Sequence, residues 1–543
     1  MSYRNHRWFV TAASLAFTLS GVASAATGSL QLGPAACPAQ APVNLAQLSG
    51  AADPFDPQST GVTVPSASTG PRDEQAEIAK RAAERAEFER ILRERSAVPV
   101  PRALDASLAA DQRASIEGEP PKSGPVKIGA IVDLNQSVDF SSVDMSGLRT
   151  GSVAAGPGHV GSIADGGLVW EAAVHSAGAK AMRIHFAGTA LAAGVHLYVY
   201  NEIGQVHGPY DDAGPDDTGD FWSPSVLGDS VWIHLRADSA AALAASHIVI
   251  SQVSPIGSRF HVGDVVRAAY EVGPTLDNTD FCGASVPDCT INGVCAINAN
   301  PGLMNTADAV AQISFVKPDG TYICSGTLIN PTGSVRTPYF LTANHCISTQ
   351  SVASTLEAHF RFRTAACDGT CTMEPVSTTH GSTLMVTGAV PDKPDFTLLR
   401  LNSAPGGLRL LGWSTAHPAE GAYLIHMGHP AGSPLAYSVR RIHYSELGEC
   451  TGWPRPTLLY SGHASVATDA QGATAGGSSG GSAVLLNSNA TDAYIIGQLL
   501  GECGVLDSCN ANNTSQVDGA FEYSFPYMRV FLYDRIFSDG FQM

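Results

Sequence analysis

The sequence predicts an all-β protein in two globular parts, and three observations carry that reading. First, 55 Gly and 33 Pro among 543 residues supply the turns that short-stranded folds need. Second, residues 125–255 hold runs of strand composition, including Val195-His196-Leu197-Tyr198-Val199-Tyr200 and Val231-Trp232-Ile233-His234-Leu235. Third, from Cys282 to about Phe537 the pattern is short strands and Gly-rich turns with few helical periods. A chain of this length exceeds one ordinary core, and 44% hydrophobic residues suffice to fill two. The expected architecture is therefore a β-sandwich-like domain over 125–275, then a second β domain over 276–543.

At the N-terminus, Arg4, His6 and Arg7 precede an apolar run from Trp8 to Val22. Ala23-Ser24-Ala25 supplies small residues for cleavage, so residues 1–25 read as a signal peptide and the protein as secreted. No second apolar run of spanning length follows, so no membrane partner is expected. A formal net charge of −18 argues against nucleic acid or anionic membrane as the main partner.

Residues 26–124 read as a flexible leader around one charged helix. The stretch 26–71 is rich in Ala, Pro, Gly, Ser and Thr. Residues 72–97 turn to Glu, Arg and Ala, with i,i+4 pairs Glu77–Arg81 and Glu89–Arg93. Ile78, Ala82, Phe88, Ile91 and Leu92 give this helix a weak apolar stripe, so a solvated helix is expected, ended by Pro99 and Pro101. The acidic loop Asp211 to Asp220 reads as solvated rather than calcium-binding. The segment from Tyr270 to Asp280 is the expected boundary, because the cysteine-rich region starts just after it.

Beyond Cys37, the cysteines are Cys282, Cys289, Cys295, Cys324, Cys346, Cys367, Cys371, Cys450, Cys503 and Cys509. An even set confined to one half of an exported chain reads as disulfides. Cys324 and Cys346 are natural partners because their strands would form a hairpin. Cys367-x-x-x-Cys371 lacks a second ligand pair, and His426-x-x-His429 lies in a strand-to-turn segment without a third ligand; no metal is expected at either. No role is assigned to His380, His443 or His463.

Three segments could carry chemistry. Tyr339-Phe340-Leu341-Thr342-Ala343-Asn344-His345-Cys346 places an imidazole at a turn pinned by a disulfide. Asp395-Phe396-Thr397-Leu398-Leu399-Arg400-Leu401 opens an apolar strand with a carboxylate; Asp392 is its rival, but Pro394 and the following strand favour Asp395. Gly476-Gly477-Ser478-Ser479-Gly480-Gly481 flanks a serine with glycines that allow a strained turn and bring backbone N–H groups around the hydroxyl. Each segment alone is weak; together, in the order His, Asp, Ser, they are a strong signal.

These segments resemble the trypsin/chymotrypsin clan, with Thr342 to Cys346 matching T-A-x-H-C and Gly477 to Gly481 matching G-D-S-G-G. They resemble bacterial lysyl endopeptidases more closely, through G-S-S-G at Ser479, D-F-T-L-L at Asp395, the C-x5-C of Cys289 and Cys295, and Gly497-Gln498-Leu499. The resemblance covers roughly residues 282–530 and implies a chymotrypsin-like double β-barrel, preceded here by a pro-domain. It implies a triad of His345, Asp395 and Ser479, an oxyanion hole from the N–H groups of Gly477 and Ser479, and no cofactor. It further implies that Cys289 and Cys295 bridge to later cysteines.

Departures from the clan bear on specificity and activation. Trypsin's substrate-reading acid has its counterpart at Ala473, so that pocket base is missing. Lysyl endopeptidases place an aspartate after the serine, which makes Asp518 the expected specificity-pocket residue for Lys or Arg; Glu502 and Asp507 compete with it. Leu500 stands where those enzymes carry His. Ser478 replaces the aspartate of trypsin's activation switch, so control is expected from the N-terminal half covering the cleft. Arg259 and Arg267 are the nearest sites for self-cleavage. The expected function is secretory proteolysis of protein or peptide substrates; a non-basic preference or an inactive binding protein on the same fold are the alternatives.

Overall fold

Residues 42, 44, 45, 54–149, 151–268, 270, 281–443, 458–462, 470–504, 509 and 514–533 are described by the computed structural model, all within the unit Ala35–Met543. The expected signal peptide, Cys37, Cys450, His463, Asp507, most of the expected domain boundary and the C-terminal tail lie outside these residues.

The strand-rich runs of the first half become two antiparallel sheets facing one core. Ser230–Ala237 lies centrally in one sheet, between Val195–Tyr200 and Leu168–His175. His247–Ile256 lies between Ala181–Phe186 and Val132–Asp139 in the other. Trp170, Ala172 and Val174 from the first sheet meet Met182, Ile184, Phe186, Ile248 and Ile250 from the second, all buried. Alternating side chains on each inner face make this the apolar layer.

A second core organises the cysteine-rich half. In one sheet Val310–Lys317 pairs with Gly320–Ile329, which pairs with Tyr339–Ala343, which pairs with Phe396–Leu401. In the other, Tyr423–Gly428, Ser482–Leu486, Ala493–Gly504 and Thr514–Ala520 pair in succession. Both sheets share one apolar cluster, which Phe521, Met528 and Leu532 of the helix Phe521–Leu532 join.

The expectation of an all-β, double-barrelled protein is overturned. The fold is mixed α/β, with 20% helix when 3-10 turns are included and eight α-helices among the described residues, and its sheets are largely open. In the described pairing, the terminal strands Ser377–His380 and Ser382–Gly388 of the eight-stranded sheet do not pair with each other. Closure depends on strand tilt and stagger, which composition and turn residues leave unset. Much of the helix comes from Glu74–Arg95 alone, 22 residues capped by Asp73, whose side chain accepts from Ala76 N at 2.9 Å.

That helix is docked rather than solvated. Ile91 is buried with Tyr198, Tyr200 and Trp232 of the first sheet, and Phe88 packs beside them. Glu94 accepts from His234 Nε2 at 3.2 Å and from Arg236 at 2.5 Å. The ion pairs along the helix are Lys80–Glu84, Arg85–Glu89 and Glu87–Arg90–Glu94 rather than the two expected from spacing. The stretch read as a flexible leader also contains strands: Thr63–Val64 pairs with Trp413 and Ser414, and Ala67–Ser68 with Arg409 and Leu410.

The two halves meet through a buried apolar cluster, in which Leu227, Ile256 and Phe260 join Ile323 and Phe362, and through polar contacts. Arg183 donates to Thr355 O at 2.6 Å, and Ser225 donates through N and Oγ to the buried Glu357 at 2.8 and 2.5 Å. Among the described residues no helix is long and apolar enough to cross a membrane.

Candidate active site

His345 follows the strand Tyr339–Ala343, and Asp395 precedes its neighbour Phe396–Leu401. The register Ala343↔Phe396 brings the two strand ends together. His345 Nδ1 donates to Asp395 Oδ2 at 2.6 Å, and His345 N donates to Oδ1 at 3.1 Å, so both carboxylate oxygens face one residue. Asp395 is buried and has φ +34°, an uncommon conformation for a side-chain-bearing residue. A tight turn (Asp395 N to Lys393 O, 2.9 Å) and Gln498, which donates to Pro394 O at 2.8 Å, hold it there. Asp392 is exposed and takes no part.

The serine segment forms a buried loop ahead of the strand Ser482–Leu486. Gly477 and Gly480 have φ of +91° and +78°, which only glycine adopts at little cost. A Cβ on Gly480 would also stand 2.3 Å from Thr342 Oγ1 and 2.6 Å from Ser325 O. Ser325 ties the loop to the rest: its N donates to Ser479 O at 2.8 Å, its Oγ donates to Gly477 O at 2.9 Å and accepts from His429 N at 2.9 Å. Cys346 Sγ lies 3.7 Å from Ser479 O, so the disulfide beside His345 touches the serine loop. The fold thus gathers His345, Asp395 and the loop of Ser479. His345 Nε2 is shielded from solvent and has no hydrogen-bond partner, Ser479 Oγ included.

Cys324–Cys346 forms as the hairpin argument expects. Cys289 bridges to Cys509 and Cys295 to Cys367, as the resemblance implies, and Cys282 bridges to Cys371. The sulfurs of Cys367 and Cys371 are therefore not metal ligands. The same holds for the grouping of Cys324, His345 and Cys346, whose two sulfurs are bonded to each other.

Asp518 lies fully buried on Thr514–Ala520, opposite Leu499. Its Oδ1 accepts from His426 Nε2 at 2.8 Å, and its Oδ2 is buried without a partner. Glu502 is also buried and accepts from Thr474 Oγ1 at 2.7 Å. Thr474 adjoins Ala473, and both line a small pocket with His426, Tyr437, Ser478 and Leu499. His426 and His429 are core residues rather than loop histidines. His429 stacks on Phe362 and donates Nδ1 to Ser433 O at 3.0 Å, and burial pushes its pKa down to about 3. His380 and His443 lie beside Glu357 and Glu420 at 3.4 and 3.1 Å. The acidic loop directs Asp211 and Asp220 onto His196 and His185. Arg259 donates to Ile116 O at 2.6 Å, and Arg267 ends the helix His261–Arg267.

Motif reading passed over Gln498 and Ser325 as positioning residues. Gln498 was visible only as the middle of G-Q-L, and Ser325 as the residue after Cys324.

A histidine fixed by a buried carboxylate, next to a glycine-flanked serine loop, is the arrangement of the trypsin/chymotrypsin-like serine peptidases. The comparisons with known proteins narrow this: residues 283–521 match the family model described as lysyl endopeptidase, C-terminal domain, so the chain carries that domain and the motif resemblance is borne out. The lysyl endopeptidase of Pseudomonas aeruginosa is 27% identical over 323 residues, which make up 58% of this chain and 63% of that protein. The chain thus spans less than two thirds of that relative's length. A secreted RxLR effector protein of Plasmopara viticola is 27% identical over 160 residues, 29% of this chain and 36% of that protein. Among solved structures, the inactive form of the Rv3671c protease is 15% identical with a TM-score of 0.26, covering 43% of this chain and 94% of that one. An HtrA-type protease with a tripeptide is 16% identical with a TM-score of 0.28, covering 43% and 63%.

Proposed function

We propose that this chain is a secreted serine endopeptidase, made as a precursor with residues 125–275 as pro-domain, whose triad is His345, Asp395 and Ser479. The observation that carries the reading is the His345–Asp395 pair at 2.6 Å, set against the glycine-flanked loop of Ser479. Ser479 Oγ attacks the peptide carbonyl while His345 Nε2 takes its proton and then returns it to the leaving amine. Asp395 holds the imidazole in the tautomer that leaves Nε2 free and stabilises the imidazolium. The N–H groups of Gly477 and Ser479 stabilise the oxyanion. The unpartnered Nε2 fits this role, because catalytic hydrogen bonds commonly tighten only when substrate binds.

Protein or peptide substrates are cut after Lys or Arg, with Asp518 as the acid that reads the side chain. Its buried, unpartnered Oδ2 supports this, since a cation is the partner such an oxygen lacks. The His426 bond to Oδ1 favours a second reading, in which Asp518 already has its partner within the fold and the preferred side chain is not basic. Labelling of processed protein with a phosphonyl fluoride tests the chemistry. An adduct on Ser479 is expected, and Ser479→Ala should lower kcat by about a millionfold; a processed, folded protein that takes no label is not a serine peptidase. Cleavage profiling of a peptide mixture decides specificity: Lys or Arg before the cut in wild type, lost in Asp518→Asn, supports the first reading.

A further inference from the structure

We infer that the segment Pro121–Pro125 is an inhibitory strap that occupies the oxyanion site of the precursor without being cut. The inference rests on the reading of Ser479 as nucleophile and Gly477 as oxyanion donor.

Both ends of the strap are anchored. Downstream, Val126 and Lys127 pair antiparallel with Ile323 and Tyr322, and Ile128 N and Gly129 N donate to Thr321 O at 2.8 and 3.1 Å. This adds a strand to the one that carries Cys324 and Ser325, the residue bonded to the serine loop. Upstream, the helix Ala110–Glu117 is held by Arg259, which donates to Ile116 O and Glu117 O at 2.6 and 3.3 Å.

Between these anchors the chain crosses the serine loop. Gly476 N donates to Pro121 O at 3.1 Å, and Gly477 N donates to Gly124 O at 2.9 Å. The fit is close, since a Cβ on Gly476 would stand 2.3 Å from Pro121 O and 3.1 Å from Val126 Cγ2. The N–H that would stabilise a substrate's oxyanion is thus taken by a carbonyl of the chain itself. A substrate carbonyl cannot reach that donor until the strap leaves.

The bond that the strap presents at the oxyanion site, Gly124–Pro125, is also a poor substrate. Gly124 has no side chain to enter a specificity pocket. The bond after its carbonyl is the imide to Pro125, whose nitrogen carries no hydrogen and whose ring restricts the residue before it. Gly124 itself has φ +86°, and no neighbouring atom lies within 4 Å of where its Cβ would stand. A β-branched residue there would oppose the strap's backbone conformation without clashing with its surroundings.

The test follows phosphonyl fluoride labelling of Ser479 in the full-length chain. Gly124→Val, with its melting temperature intact, should label at least about tenfold faster than wild type, a gain of about 1.4 kcal/mol in access. In the wild-type precursor, hydrogen exchange at the Gly476 and Gly477 amides should be protected, and processing should remove that protection; this readout needs no variant. Folded Gly124→Val labelling at the wild-type rate, while processed protein labels fast, overturns the strap and leaves the peptidase reading standing. So do unprotected amides in the precursor. Failure of both precursor and processed protein to label overturns the peptidase reading, and the strap with it.

Discussion

Two regions of the molecule bury a carboxylate beside a histidine ring. In the first half, Glu171 is fully buried, accepts from the Tyr200 hydroxyl, and has Arg95 Nε 3.4 Å away. His234 sits between two glutamates, with Nε2 3.2 Å from Glu94 and Nδ1 4.0 Å from Glu171. In the second half, His345 meets one carboxylate through Nδ1 alone, and its Nε2 has no partner. The His234 side chain is 0% exposed whereas that of His345 is 25% exposed, so only the second ring reaches the surface, with its Nε2 still shielded. No glycine-flanked serine stands at His234; the helix Glu74–Arg95 covers it instead. The difference teaches that a His–carboxylate pair enclosed on all sides by packed side chains is structural, because nothing can reach its ring. A pair whose ring reaches the surface beside a serine loop is placed for the chemistry proposed above.

The sharpest way to break this comparison is to neutralise both carboxylates. Asp395→Asn should lower kcat on a peptide ester by about ten-thousandfold, because the imidazole is then held in the wrong tautomer. Glu171→Gln should leave turnover per active site unchanged and show only in the melting of the precursor. An equal loss of turnover in both variants would mean that the first site is not merely structural.

A smaller effect tests what fastens the helix over His234. Ile91 is fully buried against Tyr200 and Trp232, so Ile91→Ala should cost about 2–5 kcal/mol of the helix's docking, measured by urea unfolding of the precursor. Ile78, on the same helix, is 67% exposed, and Ile78→Ala should change stability by less than about 0.5 kcal/mol.

This helix also marks how far the sequence could be read. Its existence and its end near Ser96 were legible from Glu/Arg spacing and the following prolines. Its docking was not, because the apolar stripe is thin and much of the contact is ionic, through Glu94 with Arg236 and Arg95 with Glu171. The site was legible for the same kind of reason that the docking was not. His345, Asp395 and Ser479 each sit in a local motif whose strand, turn or glycines determine its surroundings, and Cys324 lies on a strand while Cys346 lies in the turn after the neighbouring one. Long-range relations left no such trace. The open sheets, the His426–Asp518 bond across 92 residues and the Gly124–Gly477 contact all join segments that carry no mutual signature in the chain.

The smallest effect is an acid response that the two halves share. His359 and His429 in the second half are buried, and burial pushes their pKa values down from 6.5 to about 4 and about 3. Glu357 beside His359 pulls the other way, while His380 and Arg183 reinforce the lowering. A histidine with a depressed folded-state pKa binds fewer protons folded than unfolded. Its contribution is therefore fully present above about pH 6.5 and falls as pH drops toward 4, reaching about 2 kcal/mol lost per ring near pH 5. Glu94 in the first half responds later. Burial raises its pKa, but hydrogen bonds from His234 and Arg90 outweigh that and hold it at about 2, against an ordinary 4.5. Its contribution is present above about pH 4.5 and is lost only below that. Urea unfolding of the precursor followed at pH 7, 5.5 and 4.5 should therefore show residues 126–256 and 283–521 weakening together by hydrogen exchange, because burial also pushes His207 of the first half down to about 3. One half weakening well before the other would mean that the buried histidines of the half that holds are protonated in the folded protein.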